Sequence, residues 1–271
     1  MLGKVIGKGR TAEVMEYGDG RILKLYLDEI PEHHVDWEYQ ISTYVYEQGV
    51  HTPQPYELVA EEGRKGIVFQ QIHGPSLLKL MGTRPWLISS YARQMAALQY
   101  SLHQLAGTGE AGEQKKRLKH NVIAAPMLNM EEKAPILALL ELLPDGDKLC
   151  HGDFHPDNVL MDGKLWVIDW MTAVSGDPAA DAARSVVMFS IGAMPKHASL
   201  FTKMFLGFAR KRMTSQYTRE YMRLSGVSRA DIEAWILPVA AARLVEWLPV
   251  PEKEQLVREI RKRLKSLPPA R

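Results

Sequence analysis

Three side chains, Asp153, Asn158 and Asp169, stand at a spacing that suits chemistry on a charged ligand. The first two belong to the run His151-Gly152-Asp153-Phe154-His155-Pro156-Asp157-Asn158; the third closes the apolar run Val167-Ile168, eleven residues past Asn158. A carboxylate and an amide carbonyl are hard oxygen donors of the kind magnesium accepts, few at a time and with water completing its shell. A second carboxylate on a short loop can take the proton of a hydroxyl as that oxygen forms a new bond. This set suits phosphoryl transfer, which asks a protein to align a hydroxyl and neutralise phosphate oxygens more than to form covalent bonds itself. Asp153 is therefore the candidate base, with Asn158 and Asp169 as candidate metal ligands. Two plainer readings compete. The segment also reads as a polar turn between strands, or as a transition-metal site of His151, His155 and Asp153. The glycine between the histidines and the proline that follows them deny them the helix on which an i, i+4 zinc pair sits.

The run HGDFHPDN followed by IDW resembles the aminoglycoside phosphotransferase and choline kinase group, relatives of the protein kinases. That resemblance implies an α+β, bilobal protein kinase-like fold. Its N-terminal lobe would be a small antiparallel sheet with one helix, and its C-terminal lobe larger and mostly helical. ATP, or GTP in its place, would lie between the lobes with Mg2+. The likeness also assigns roles elsewhere. Gly7 and Gly9, in Gly7-Lys8-Gly9-Arg10-Thr11-Ala12-Glu13-Val14, take the place of the hairpin over the phosphates. Lys24 faces the nucleotide phosphates and a helix glutamate, for which Glu38 is preferred to Glu32 and Glu47. In the stretch Ile67 to Leu77, the backbone of Gln70 and Ile72 meets adenine. The segment Gly176 to Asp181 steadies the catalytic loop, through Asp181. The likeness runs from residue 7 to about 187. One departure is Met171, where many relatives carry an acidic residue.

The elements that must position these residues are legible from pattern. Short β-like runs at 2–6, 12–17 and 21–26 are separated by glycine turns, as in an antiparallel sheet. Lys24 is the one charged residue inside the apolar run Ile22 to Tyr26, and burying it is costly without an anionic partner. Trp37, Ile41, Tyr44 and Val45 fall at helical spacing, and Gly49 marks a stop. Tyr56 to Ala60 and Gly66 to Gln71 read as two more strands. From Pro75 onward the pattern is mostly helical: residues 86–105, 131–143 and 252–267 carry apolar stripes. The stretch 106–121 reads as a loop or a charged helix end. The division implied is residues 1–73 as a nucleotide-binding lobe and 74–271 as a helical lobe with the catalytic loop and acceptor site.

Composition bounds the rest. With 271 residues, 46% hydrophobic and 24% charged, the chain can bury a sizeable core. A formal net charge of +2 points to neither nucleic acid nor membrane as the main partner. The single cysteine allows no internal disulfide and, with no leader or long apolar run in view, fits a soluble cytoplasmic protein. The expected activity is ATP-dependent transfer of a phosphoryl group to the hydroxyl of a small molecule, such as a metabolite, amino alcohol, sugar or antibiotic. The other class is a catalytically silent kinase-like module that binds a nucleotide or a protein.

Overall fold

Strands β1 (Val5–Lys8), β2 (Ala12–Glu16) and β3 (Arg21–Tyr26) form an antiparallel meander. The reversal between β2 and β3 uses left-handed backbone at Gly18, Asp19 and Gly20, with φ of 71°, 44° and 71°. Glycine reaches that region without the Cβ clash that other residues meet. The computed structural model describes residues 3–109, 113–192 and 199–267. Leu2, which opens the first expected strand, and residues 110–112 of the expected loop lie outside them. The chain divides into two compact units, Met1–Leu80 with Pro156–Ala173, and Met81–His155 with Val174–Arg271.

In the first unit the sheet is completed by β4 (Pro55–Glu61) and β5 (Arg64–Gln70), in the order β1-β2-β3-β5-β4. Because side chains alternate along a strand, β3 serves both faces of the sheet. Leu23 and Leu25 join Met15 and Val68 in one core cluster. Ile22 and Tyr26 face the other way, with Ala12, Ile67, Phe69 and Val35 of helix α1 (Glu32–Glu47). Lys24 shares that second face by alternation. After the second unit's short strand β6 (Lys148–Cys150), the chain returns as a hairpin, β7 (Val159–Asp162) and β8 (Lys164–Val167). Two backbone hydrogen bonds tie this hairpin into the first unit: Met161 N–H to the Pro75 carbonyl (3.0 Å) and Val167 N–H to that of His51 (2.8 Å).

The boundary of the units falls inside α2 (Leu77–Thr83), and the second unit is largely helical. Its helices are α3 (Ile88–Leu102), α4 (Glu113–Ala124), α5 (Met130–Leu142), α6 (Pro178–Ser190), α7 (Leu200–Ser225), α8 (Arg229–Ala242) and α9 (Val250–Leu264). The start of α5 is fixed by a reciprocal cap between Asn129 and Glu132, and that of α8 by one between Ser228 and Asp231. In α9, Leu256 and Ile260 are fully buried, while Arg261 and Arg263 reach outward to Glu132 and Glu233. Strand β6 pairs with β9 (Val174–Gly176). No helix of the described residues is long and apolar enough to cross a membrane.

Candidate active site

Lys24 sits mid-strand opposite Val14 and Ile67, between the fully buried Leu23 and Leu25. Its ammonium lies 2.5 Å from Glu38 Oε1 and 2.8 Å from Asp169 Oδ1. Glu38 is on the buried stripe of α1 with Val35, Ile41 and Val45, and its second oxygen accepts the Tyr26 hydroxyl at 2.7 Å. Burial alone would discharge Lys24, but Asp169 and Glu38 outweigh it and hold the ammonium well above its ordinary pKa. Burial also pushes the Glu38 carboxyl upward against the pull of Lys24. With a donor on each oxygen, the hydrogen bonding favours the ionised form. Glu32, the alternative partner, has a side chain 81% exposed and pairs with Lys65 instead.

Asn158 and Asp169 stand at the two ends of the β7–β8 hairpin. The Ile168 N–H donates to the Asn158 carbonyl at 3.0 Å, which brings those ends together. Asn158 is buried, and Asp169 has φ 68°, a left-handed conformation uncommon for a residue with a Cβ. Its neighbours hold it there. Trp170 is buried with its indole N–H on Thr52 Oγ1 at 2.9 Å, and Met171 packs on the cluster of Ala12, Tyr26 and Phe69. Met171 is thus a core contact.

The remaining candidates of the first unit lie along its sheet. Gly7 is opposite Val14, and the Gly9 N–H closes the β1–β2 turn on the Ala12 carbonyl at 2.8 Å. The Gln70 N–H donates to the Gln54 carbonyl at 2.8 Å, and that of Gln71 to Gly20 at 2.8 Å. These bonds fix the chain just before the half-buried Ile72.

Asp153 belongs to the second unit, where α6 grips the loop residue by residue. The buried Asp181 carboxylate accepts the N–H of His151 at 3.1 Å and of Gly152 at 2.8 Å. Gly152 has φ 75°, so the turn there favours a residue without a Cβ. The Ser185 hydroxyl donates to the Phe154 carbonyl at 2.9 Å. Arg184 Nη2 lies 3.2 Å from Asp153 Oδ1, and His155 Nε2 lies 3.3 Å from Asp153 Oδ2. Burial raises the Asp153 carboxyl, but His155 and Arg184 more than offset it and hold it well below the usual carboxylate range. His151 braces its own loop, accepting the Asp153 N–H at Nδ1 (3.2 Å). That contact and the pairing of His155 with Asp153 give both histidines roles other than a metal pair.

The grip is itself supported. Gln99 Nε2 donates to Asp181 at 2.8 Å, His103 Nε2 lies 3.1 Å from the same carboxylate, and the Tyr217 hydroxyl donates to Gln99. Burial opposes the charge on Asp181, yet these donors keep its carboxyl below the ordinary range. Cys150 is buried beside it, and burial pushes its thiol upward.

Residue pattern pointed to Lys24 and Asp169, and the family likeness to Glu38 and Asp181; neither pointed to Tyr26, Arg184 or Ser185. The available signal for two of these was their place on α6. Arg184 and Ser185 follow Asp181 by three and four residues, so they project from the same face of the helix.

Comparison with known proteins bears on the family and the fold. The family described as "Phosphotransferase enzyme family" matches residues 3–213. No sequence match was found among curated proteins. Among solved structures, an aminoglycoside-3'-phosphotransferase of type VIII superposes with a TM-score of 0.60 at 19% identity, over 89% of this chain and 93% of that one. A choline/ethanolamine kinase family protein from Mesorhizobium loti gives 0.56 at 17% identity, over 98% and 87%. Aminoglycoside phosphotransferase APH(3'')-Id from Streptomyces rimosus, in complex with ADP and streptomycin, gives 0.57 at 16% identity, over 85% and 90%. The fold is protein kinase-like, and the chain belongs to the phosphotransferase enzyme family.

Proposed function

We propose that the protein transfers the γ-phosphoryl group of ATP to a hydroxyl of a small molecule. The observation that carries this reading is the largely buried Lys24 ammonium held between Glu38 and Asp169. A lysine fixed on a central strand by two carboxylates presents a positive charge whose direction is set, which suits binding of phosphate oxygens. The S. rimosus structure named above contains ADP, which supports an adenine nucleotide here. In this reading residues 1–73 form the nucleotide lobe, with Gly7 and Gly9 over the phosphates and the backbone of Gln70 and Ile72 at the base. Residues 74–271 carry the catalytic loop and the acceptor site.

The donor set fits magnesium. Asn158 and Asp169 offer an amide carbonyl and a carboxylate from the two joined ends of one hairpin, and Asp169 keeps 39% of its side chain exposed. Magnesium, when bound, supplies neutralisation of the phosphate oxygens. The chain's own groups do the rest. Lys24 binds and orients phosphate, and Asp153 receives the proton of the acceptor hydroxyl. A carboxylate held at low pKa is a weak base, so Asp153 orients the hydroxyl first and takes its proton late, as a loose transition state allows.

For the acceptor, the neighbours suggest amino alcohols and aminoglycosides, the compounds in their names. From residue 201 to 271 this chain has 15 lysines and arginines against 7 aspartates and glutamates. A polycationic drug needs carboxylate partners, so the balance favours a neutral or less cationic acceptor. The buried, unpaired cysteine suits a reducing cytosol. The test is a screen of hydroxyl compounds for acceptor-stimulated ADP release with magnesium and ATP or GTP. Stimulation by one compound class, with phosphate recovered on it, is the expected result; a protein that turns over no nucleotide with any acceptor contradicts the proposal.

A further inference from the structure

We infer that Arg184, tethered by Glu246, is the positioning residue that sets the orientation of the Asp153 carboxylate, an inference that rests on the role proposed for Asp153. Arg184 bridges two carboxylates with different nitrogens: Nη2 lies 3.2 Å from Asp153 Oδ1 and Nη1 2.7 Å from Glu246 Oε1. A guanidinium is a rigid planar fork, so fixing one edge fixes the direction of the other. Glu246 is fixed in turn. It caps the short helical turn Arg243–Val245, and its second oxygen accepts from Arg243 Nε at 3.1 Å. Arg243, 5% exposed, also lies 3.6 Å from Glu252 in the first turn of α9.

The result is an alternating chain of charges, Asp153, Arg184, Glu246, Arg243 and Glu252, running from the catalytic loop to the last helix. Each buried charge in it has an opposite neighbour, the condition under which such groups are tolerated away from water. The arrangement adds something the backbone grip lacks. Asp181 and Ser185 hold the loop's main chain; His155 on Oδ2 and Arg184 on Oδ1 hold the Asp153 side chain, and Arg184 is anchored outside the loop by Glu246. Glu246 lies beyond residues 3–213, the part matched by the family description.

The experiment measures ADP release from MgATP, with and without pooled hydroxyl compounds, together with melting temperature and ADP affinity by calorimetry. Displacing a reacting group by about 1 Å costs on the order of 100-fold in rate, so Arg184→Gln is expected to lower kcat by about that factor. Its KM for MgATP and its ADP affinity should stay within about twofold, since only the base has moved. Arg184→Lys, a point charge without the fork, should recover part of kcat, and Glu246→Gln should lose about tenfold at most because its oxygen still accepts. In an Asp153→Asn background, Arg184→Gln should cost nothing more, because it acts through the carboxylate already removed.

A kcat per folded enzyme equal to wild type in Arg184→Gln, or a loss of equal size in both backgrounds, overturns the positioning role while leaving the proposed function intact. If Arg184→Gln fails to fold, Arg184→Lys and Glu246→Gln decide the matter by the same kcat criterion. Wild-type protein that releases no ADP under any condition overturns both readings.

Discussion

Lys24 and Asp169 are 145 residues apart in the chain and 2.8 Å apart in space. That contact joins the first sheet to the hairpin that returns to it more than a hundred residues later. It also places a cation and a candidate metal ligand side by side, with Glu38 as the second anion at the ammonium. Two carboxylates on one lysine over-satisfy it in this arrangement, and a divalent cation beside Asp169 would share that excess of negative charge.

Lys24→Met should expose both roles of the lysine. The neutral side chain fills the space but leaves Glu38 buried without its cation, a loss of about 3–5 kcal/mol for a broken buried pair. Urea unfolding should show it, and the KM for MgATP should rise by about tenfold or more, equivalent to about 1.4 kcal/mol. An unchanged nucleotide response would move the nucleotide away from this lysine.

Asn158→Ala is expected to raise the magnesium requirement more than the ATP requirement, since it removes one of two hard-oxygen donors. A titration of rate against free magnesium at saturating ATP separates these effects. Chelation of magnesium should stop turnover in both proteins, and restoring the metal in excess should rescue the variant further than extra ATP does.

The acid limb of stability should report Asp181. Its folded pKa is held below the ordinary value of 3.8. A carboxylate depressed on folding stabilises the native state above its unfolded pKa, and that stabilisation is lost as pH falls through the folded pKa. The difference in unfolding free energy between wild type and Asp181→Asn should therefore be full above about pH 5 and shrink steadily below about pH 4. Denaturant curves at a series of pH values give it directly. A difference independent of pH would mean that the Asp181 charge is not what holds His151 and Gly152.

Thr52→Val tests the seat of Trp170. The substitution keeps the shape and removes the acceptor of a buried indole N–H, which costs about 1–3 kcal/mol for a stranded donor. Thermal melts followed by tryptophan fluorescence should show the loss, with the rate falling further than stability alone explains if Asp169 shifts with its neighbour.

Much of this arrangement could be read from local pattern, for identifiable reasons. Lys24 stood out because a charge within an apolar strand requires a partner, and the period of α1 put Glu38 on its buried stripe. Asp153, Asn158 and Asp169 were recognisable because short loops and hairpins hold such residues at fixed separations in the chain. Arg184 and Glu246 were not, because they are 62 residues apart and nothing local marks either as an ion-pair partner. The return of Pro156–Ala173 to the first unit was equally hidden, since Val167 pairs with His51 rather than with anything near it in sequence. In the stretch 106–121, charge dominated the pattern, and α4 is helical from Glu113 because Leu118 and Val122 reach the core at i, i+4 spacing. The three-residue strands β6 and β9 are too short to show any period at all.

The most direct measurement is phosphoryl transfer from MgATP by Asp153→Asn, with ADP affinity measured on the same preparation. The amide keeps the size of the side chain and cannot take the proton of a hydroxyl. Turnover is expected to fall by about 100-fold or more, the range for losing a general base, while ADP binds as in wild type. Turnover near the wild-type rate in that variant would contradict the role of Asp153 as the base.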